Sequence, residues 1–288
     1  MLRFDLHSHS TCSDGLLSPR ALVHRAAAKK VDVFALTDHD EISGLPEAAA
    51  AAQEKGVVFI PGTELSVSWR DITLHIVGLA IDPGDAPLHA GLRAIREGRS
   101  TRARRMADAL AQAGIPGAYE GAMRYVTSKS LISRTHFARF LVDAGYVSEL
   151  REVFKRYLTP GKPGYVGHEW ATLPQAIGWI RGAGGQVVLA HPGRYPIAAP
   201  QMRELLAEFK DTGGDAIEVL TSSHTPDQYL EYANFARRYG LRASVGSDYH
   251  GPGESWMDLG DLPPLPADLV PVWRDWPCKL ELRASGTR

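Results

Sequence analysis

The chain is poor in cysteine: only Cys12 and Cys278 occur among 288 residues. That excludes a disulfide framework and suits a reducing compartment. Long hydrophobic runs are missing as well. Nothing approaches the roughly 20 apolar residues that a bilayer-spanning helix needs. No leader-like stretch precedes the first strand, which starts almost at Met1, so a cytoplasmic protein without membrane attachment is expected. Glycine-rich phosphate loops are absent too. The run Gly182-Ala183-Gly184-Gly185 lacks the G-x-G-x-x-G spacing and a preceding strand, and reads as a helix-to-strand turn. Thr159-Pro160-Gly161-Lys162-Pro163-Gly164 lacks the spacing of a Walker loop.

What is present is an ordinary composition, 44% hydrophobic and 23% charged, in a chain long enough for one large α/β domain or a domain with an insertion. Strand-like runs lie at 3–7, 32–37, 57–63, 72–80, 186–190, 216–220 and 242–246. They are apolar without strict alternation, as strands covered on both faces are. Helix starts stand between them at Ser18-Pro19, at Thr172 before Pro174, and at Thr225-Pro226, with Gly56 and Gly240 as stops. The alternation predicts a barrel-like, parallel β/α arrangement of seven strands. An open doubly wound sheet is the alternative, and runs 57–63 and 72–80 leave little room for a helix between them.

Residues 99–165 break this rhythm, with helical stretches and no convincing strand. They read as an insertion over one end of a barrel made by residues 1–98 and 166–288. The insertion carries twelve Lys/Arg against five Asp/Glu, and the remainder twenty against twenty-eight, so a net charge of −1 hides a basic cap on an acidic body. That asymmetry favours an anionic ligand between the two, although part of the Arg99, Arg102, Arg104 and Arg105 run reads as a solvated helix face. The Pro-rich 256–288 tail is expected to wrap the outer surface.

Nine potential metal ligands follow the apolar runs. His7 and His9 are two apart on the first strand and share a face. Asp14 follows in a turn closed by Gly15, His39 ends the second run, and Glu64 ends the third. His75 lies within the fourth, His191 ends the fifth, and Asp248 and His250 repeat the two-apart spacing near the other end of the chain. Most sit at C-terminal strand ends, where β/α barrels carry their chemistry. Imidazoles and carboxylates without thiolates suit Mn²⁺, Fe²⁺ or Zn²⁺ and do not choose among them. A carboxylate offers two oxygens, so Glu64 is the natural bridge between two cations. Water held between those cations would serve as nucleophile. Cys12 reads as a small apolar filler.

Four of these motifs, His7-Ser8-His9, Thr37-Asp38-His39, the His191 motif and Asp248-Tyr249-His250, resemble those of the PHP (polymerase and histidinol phosphatase) domain family. The resemblance spans the whole chain. Within that family it points to bacterial 3′,5′-nucleotide bisphosphate phosphatases and related 5′→3′ exoribonucleases. It implies a distorted (β/α)7 barrel with two or three divalent ions, most often manganese. It also implies that His7, His9, Glu64 and Asp248 hold one ion, that Glu64 bridges to a second held by His75 and His191, and that Asp14, His39 and His250 hold a third. Some relatives carry His in place of Asp14.

Ser133-Arg134-Thr135-His136 precedes an apolar stripe and reads as the capped start of a helix, where free N–H groups and an Arg fork suit phosphate. In the resembled phosphatases the Arg and His of this motif, here Arg134 and His136, bind phosphate. Asp14 and His39 are also expected near the substrate, and Asp14, His39, Glu64 and Asp248 are the expected catalytic set. Lys129 and Lys162 are weaker candidates. His24 and His89 read as surface residues, and His168 and His224 stay open as substrate contacts. The reading is a metal-dependent phosphoesterase that converts a bisphosphonucleotide such as pAp to AMP by attack of a metal-bridging hydroxide. The rivals are stepwise trimming of 5′-phosphorylated RNA, a non-catalytic metal-binding module, and a C–N hydrolase. The partner is a small anionic nucleotide or short RNA, with no DNA specificity.

Overall fold

The computed structural model describes residues 2–127 and 131–276, so Lys129 and Cys278 lie outside the described residues. Strands β1 (Phe4–Asp5), β2 (Val33–Leu36), β3 (Val58–Trp69) and β4 (Ile72–Leu79) enclose helices α1 (Pro19–Ala28) and α2 (Leu45–Lys55). A helical stretch follows: α3 (Ala86–Gln112), α4 (Ala118–Met123), α5 (Arg134–Asp143), α6 (Leu150–Val153) and a π-helical turn at Phe154–Leu158. Then come β5 (Ala171–Thr172), α7 (Leu173–Gly182), β6 (Gln186–Leu189), α8 (Ala199–Thr212), β7 (Ala216–Thr221), α9 (Pro226–Tyr239) and β8 (Arg242–Gly246). The helix starts follow from the capping residues. Ser18, Thr172 and Thr225 accept from the first-turn amides of α1, α7 and α9, and Gly56 and Gly240 close α2 and α9 in the left-handed region.

The strands form a nearly closed barrel in the order β1-β2-β3-β4-β6-β7-β8. Closure comes from Leu6 N–H donating to the Val245 carbonyl at 3.0 Å and Asp248 N–H to that of His7 at 2.9 Å. One strand departs from the parallel expectation: β4 runs antiparallel to both β3 and β6. The reason is length. Only Arg70 and Asp71 join β3 to β4, with Arg70 at φ 52°, which suffices for a hairpin and not for a helical crossover. The sequence also gave no sign of β5, which pairs with β3.

Side chains alternate across the barrel wall even where both faces are apolar. Val33 and Ala35 point to an interior cluster with Leu6, Val77, Leu79 and Val188, whereas Phe34 and Leu36 join the layer beneath the helices. The tail does not simply wrap the outside. Val272 N–H donates to the Ala243 carbonyl at 2.9 Å, Val272 is buried in the interior cluster, and Trp273 stacks on Phe4 at 3.9 Å. An irregular stretch can enter a barrel end because its backbone pairs with a strand there.

The helical stretch has a core of its own, built from Met106, Leu110, Phe137, Leu141, Val153 and Leu158. Helix α3 runs unbroken through position 99: Leu88, Leu92 and Ile95 pack on the barrel layer, and Ala103, Met106 and Leu110 on the helical one. Among the described residues, no helix is long and apolar enough to cross a membrane.

Candidate metal centre

The barrel mouth gathers all nine donors. His7 and His9 leave β1 with their Nε2 atoms 3.2 Å apart. The Asp248 carboxylate lies 3.2 Å from His9 Nε2 and 3.6 Å from that of His7, and Glu64 Oε2 lies 3.3 Å from each imidazole. Four ligands bonded to one cation at about 2.0–2.1 Å would stand roughly 3.3 Å apart, close to the spacing among His7, His9 and Asp248, and Glu64 lies as near to both imidazoles. The other Glu64 oxygen faces His75 Nδ1 at 2.9 Å and His191 Nε2 at 3.0 Å. Asp14 Oδ1 lies 3.4 Å from His250 Nε2 and 3.8 Å from that of His39, and His9 joins this group.

Glu64 sits mid-strand, because β3 continues to Trp69 beyond the expected end at 63. His75 reaches the mouth from within its strand. The reversed β4 sets it opposite Ser66, near the C-terminal ends of its neighbours.

The donor set fits divalent ions. Asp14 Oδ1, His39 Nδ1, Glu64 Oε2 and His75 Nδ1 are buried and make no hydrogen bond, a costly arrangement unless something else bonds them. Electrostatics agrees. Burial disfavours charge on His9, but the adjoining Asp248 and Glu64 carboxylates outweigh it and lift its pKa to about 10. Burial pushes His39 down to about 4 and His191 to about 3. For Glu64 burial is overcome by His75, His39 and His7, which hold its carboxyl well below the usual range. Glu64 thus stays ionised, while His39 and His191 are held neutral with a lone pair to offer, the forms that a metal ligand requires.

Above this floor is a cavity of about 80 Å³ whose lining includes Arg99, Arg102, Arg134 and Arg194. Arg99 pairs with the buried Asp40, and Arg194 reaches Asp248 at 2.8 Å. Buried Arg102 donates to the Val166 carbonyl at 2.7 Å. Arg102 and Arg134 have no carboxylate partner among the described residues. Burial and neighbouring guanidinium groups lower both pKa values: Arg134 and Arg99 act on Arg102, which falls to about 9, and Arg194 and Arg99 act on Arg134. Clustered cations of this kind attract an anion. A larger groove of about 1050 Å³ near Phe4, Pro263 and Trp273 lies away from every one of these donors, so cavity size does not locate the chemistry.

Ser133 caps α5, and the cap uses His136: its Nδ1 accepts from Ser133 N–H at 2.9 Å. His136 is buried and does not line the cavity, whereas Arg134 does. Lys162 is exposed and also outside the lining. His224 is structural, its Nε2 accepting from Gly193 N–H at 3.0 Å while the ring stacks on Tyr232. His168 packs edge-on against Trp170.

Sequence reasoning passed over several residues. Asp38, legible only as part of the Thr37-Asp38-His39 motif, accepts from Ser10 N–H and from the Ser10 and Ser13 hydroxyls, fixing the turn that carries Asp14. Glu218, fully buried in β7, accepts from His7 Nδ1 at 2.8 Å and from His191 N–H at 2.6 Å. Its one signal was an acid inside the otherwise uncharged run Ala216–Thr221. Arg194 and Asp40 left no comparable mark.

A profile of the PHP domain family matches residues 5–222. A 3′,5′-nucleoside bisphosphate phosphatase of Chromobacterium violaceum is 52% identical over 275 residues, 96% of each chain. The 5′-3′ exoribonuclease Rnm of Salmonella typhimurium is 44% identical over 275 residues, 95% of this chain and 93% of its own. A solved structure from Chromobacterium violaceum, described as an amidohydrolase with bound sulfate and no metal, superposes with a TM-score of 0.91 at 52% identity, covering 97% and 95% of the two chains.

Proposed function

The chain belongs to the PHP domain family, and from that premise we propose a metal-dependent phosphoesterase that removes the 3′-phosphate of 3′,5′-bisphosphonucleotides. The observation that carries this is the facing of two layers: nine donors converge at the barrel mouth beneath four arginines, two of which lack a carboxylate partner. Residues 99–165 act as a basic cap that presents Arg99, Arg102 and Arg134 to the substrate's phosphates.

His7, His9, Glu64 and Asp248 would hold one ion, His75 and His191 with Glu64 a second, and Asp14, His39 and His250 a third. Manganese is the favoured ion. Bound divalent ions supply Lewis acidity and a water activated near neutral pH. Arg102 and Arg134 neutralise the dianion and orient it in line with the attacking water. The water oxygen would bond to phosphorus as it gives up a proton, the P–O3′ bond would break, and O3′ would take up a proton in its place, leaving the nucleoside 5′-monophosphate and inorganic phosphate. His136 supports Arg134 through the Ser133 cap. A reducing cytoplasm suits the free Cys12.

The 44% identity to an exoribonuclease over nearly the whole chain favours a second reading, trimming of 5′-phosphorylated RNA. Both substrates present a 5′-phosphorylated nucleotide with phosphate on its 3′ oxygen. The cavity of about 80 Å³ accommodates a phosphoryl group, and typical small-molecule pockets are about 300–1,000 Å³, so the rest of either substrate stays at the mouth. An amide-bond hydrolase of neutral substrates has no use for the arginine roof. Side-by-side assays with Mn²⁺ test the order: phosphate release from pAp should exceed nucleotide release from a short 5′-phosphorylated RNA. The reverse would move the reading to RNA. A metal-loaded protein that cleaves neither would end the phosphoesterase proposal.

A further inference from the structure

We propose that Glu218 is a positioning residue that prepares two metal sites at once, by setting the proton on His7 and the backbone of His191. The inference rests on the metal reading above and adds a residue that is not itself among the converging ligand groups. Glu218 is 1% exposed. Its Oε1 meets His7 Nδ1 at 2.8 Å and its Oε2 meets the His191 amide at 2.6 Å.

Each contact has a distinct consequence. A carboxylate acceptor at Nδ1 keeps the His7 proton there and leaves Nε2 with a lone pair, and Nε2 is the atom 3.2 Å from His9 Nε2 and 3.3 Å from Glu64. Such carboxylate–histidine pairs orient a ring and raise its basicity as a ligand. At the other oxygen, His191 stands at φ 27°, ψ 57°, a conformation a side-chain-bearing residue adopts only when its surroundings enforce it. An anion accepting its N–H supplies that enforcement and aims Nε2 at Glu64. His7 belongs to two groups, one with His9 and Asp248 and one with Glu64 and His191, so the two ligands that Glu218 holds serve both. Glu218 and Glu64 therefore link the same two ligands from opposite ends, and the two positions assemble together.

Glu218→Gln separates this role from mere filling of space. An amide cannot accept from both donors with both of its heavy atoms. Either His191 meets an NH₂ group, or that group donates to Nδ1 and shifts the His7 proton to Nε2, where it blocks ligation. Calorimetric titration of Mn²⁺ into the metal-free full chain should show affinity lost at two positions by at least about tenfold, with the third unaffected. Glu218→Asp keeps the charge but is too short for both contacts, and should recover part of the loss. Melting of the metal-free variants within about 3 °C of the metal-free parent would show that folding is intact.

Equal affinity of Glu218→Gln and parent, within twofold, would overturn the proposal. So would ¹⁵N spectra of the zinc-loaded parent that show His7 bound through Nδ1, a measurement independent of any variant. If the parent itself bound no divalent ion, the metal reading would fail. If the parent bound and the variant matched it, only the role of Glu218 would.

Discussion

The floor and the roof of the site are built by opposite means. On the floor, donors project from strands, and from the turns that follow them, whose positions are dictated by ladder hydrogen bonds, and acids and imidazoles hold one another at 2.8 to 3.8 Å. On the roof, arginines project from α3, from the first turn of α5 and from the turn after β6, and most of that layer rests on a separate core. Chemistry on a shared ion requires ligands held by rigid elements, and strand ladders provide them. The roof gathers cations, two of which have no carboxylate partner among the described residues, and on the proposed reading a phosphate would complete it. Precision belongs to one layer and charge to the other.

The harshest test of this division is Glu64→Ala. It removes the carboxylate that both principal groups share, and should lower kcat/KM by on the order of 10³-fold or more while metal content falls. Elemental analysis alongside kinetics checks it, and retained metal with retained activity would erase the contrast.

Acid stability comes next, because each layer holds a buried neutral histidine. Burial pushes both His136, in the roof, and His224, in the barrel, to about 4 from an ordinary 6.5. Between those pH values the unfolded chain binds more protons than the folded one. Stability is therefore fully present above 6.5 and lost as pH falls through 4, by roughly 3 kcal/mol per histidine at most. Denaturant unfolding across pH 7 to 4 should show that slope. His136→Asn, which keeps an acceptor for the Ser133 amide, should flatten it.

Arg134→Ala probes the roof alone. It should cost at least tenfold in kcat/KM, about 1.4 kcal/mol, with metal content unchanged; unchanged kinetics would take Arg134 out of the clamp. Lys162→Ala should change kcat/KM less than about twofold, since an exposed charge outside the cavity is screened. A larger effect would mean that the roof extends farther than its lining residues.

The two layers also differed in how readable they were. Histidines and acids at the ends of apolar runs stand out against their background, so the nine floor donors could be named from spacing and motif. Arginines on helices do not stand out, because most face water. Of the roof, Arg134 and His136 were singled out as phosphate ligands, through the capping pattern around Ser133, while Arg99 and Arg102 were named only as part of a basic run and Arg194 not at all. Glu218 was hidden by lying inside a strand, where attention to strand ends misses it. The reversal of β4 was hinted at by the two-residue gap at Arg70-Asp71, yet its consequence for His75 needed the register. The entry of Val272 and Trp273 into the barrel end left no periodic trace, since that stretch forms neither helix nor regular strand.

One contact crosses between the layers. Ser133, the cap of α5, donates its hydroxyl to the Asp14 carboxylate at 3.0 Å, and Arg139 from the same helix donates to the Asp14 carbonyl at 2.7 Å. A displacement of α5 is thereby transmitted to a donor of the outermost ligand group. By thermodynamic reciprocity, an anion that steadies the helix and a cation that engages Asp14 each favour the other's arrival.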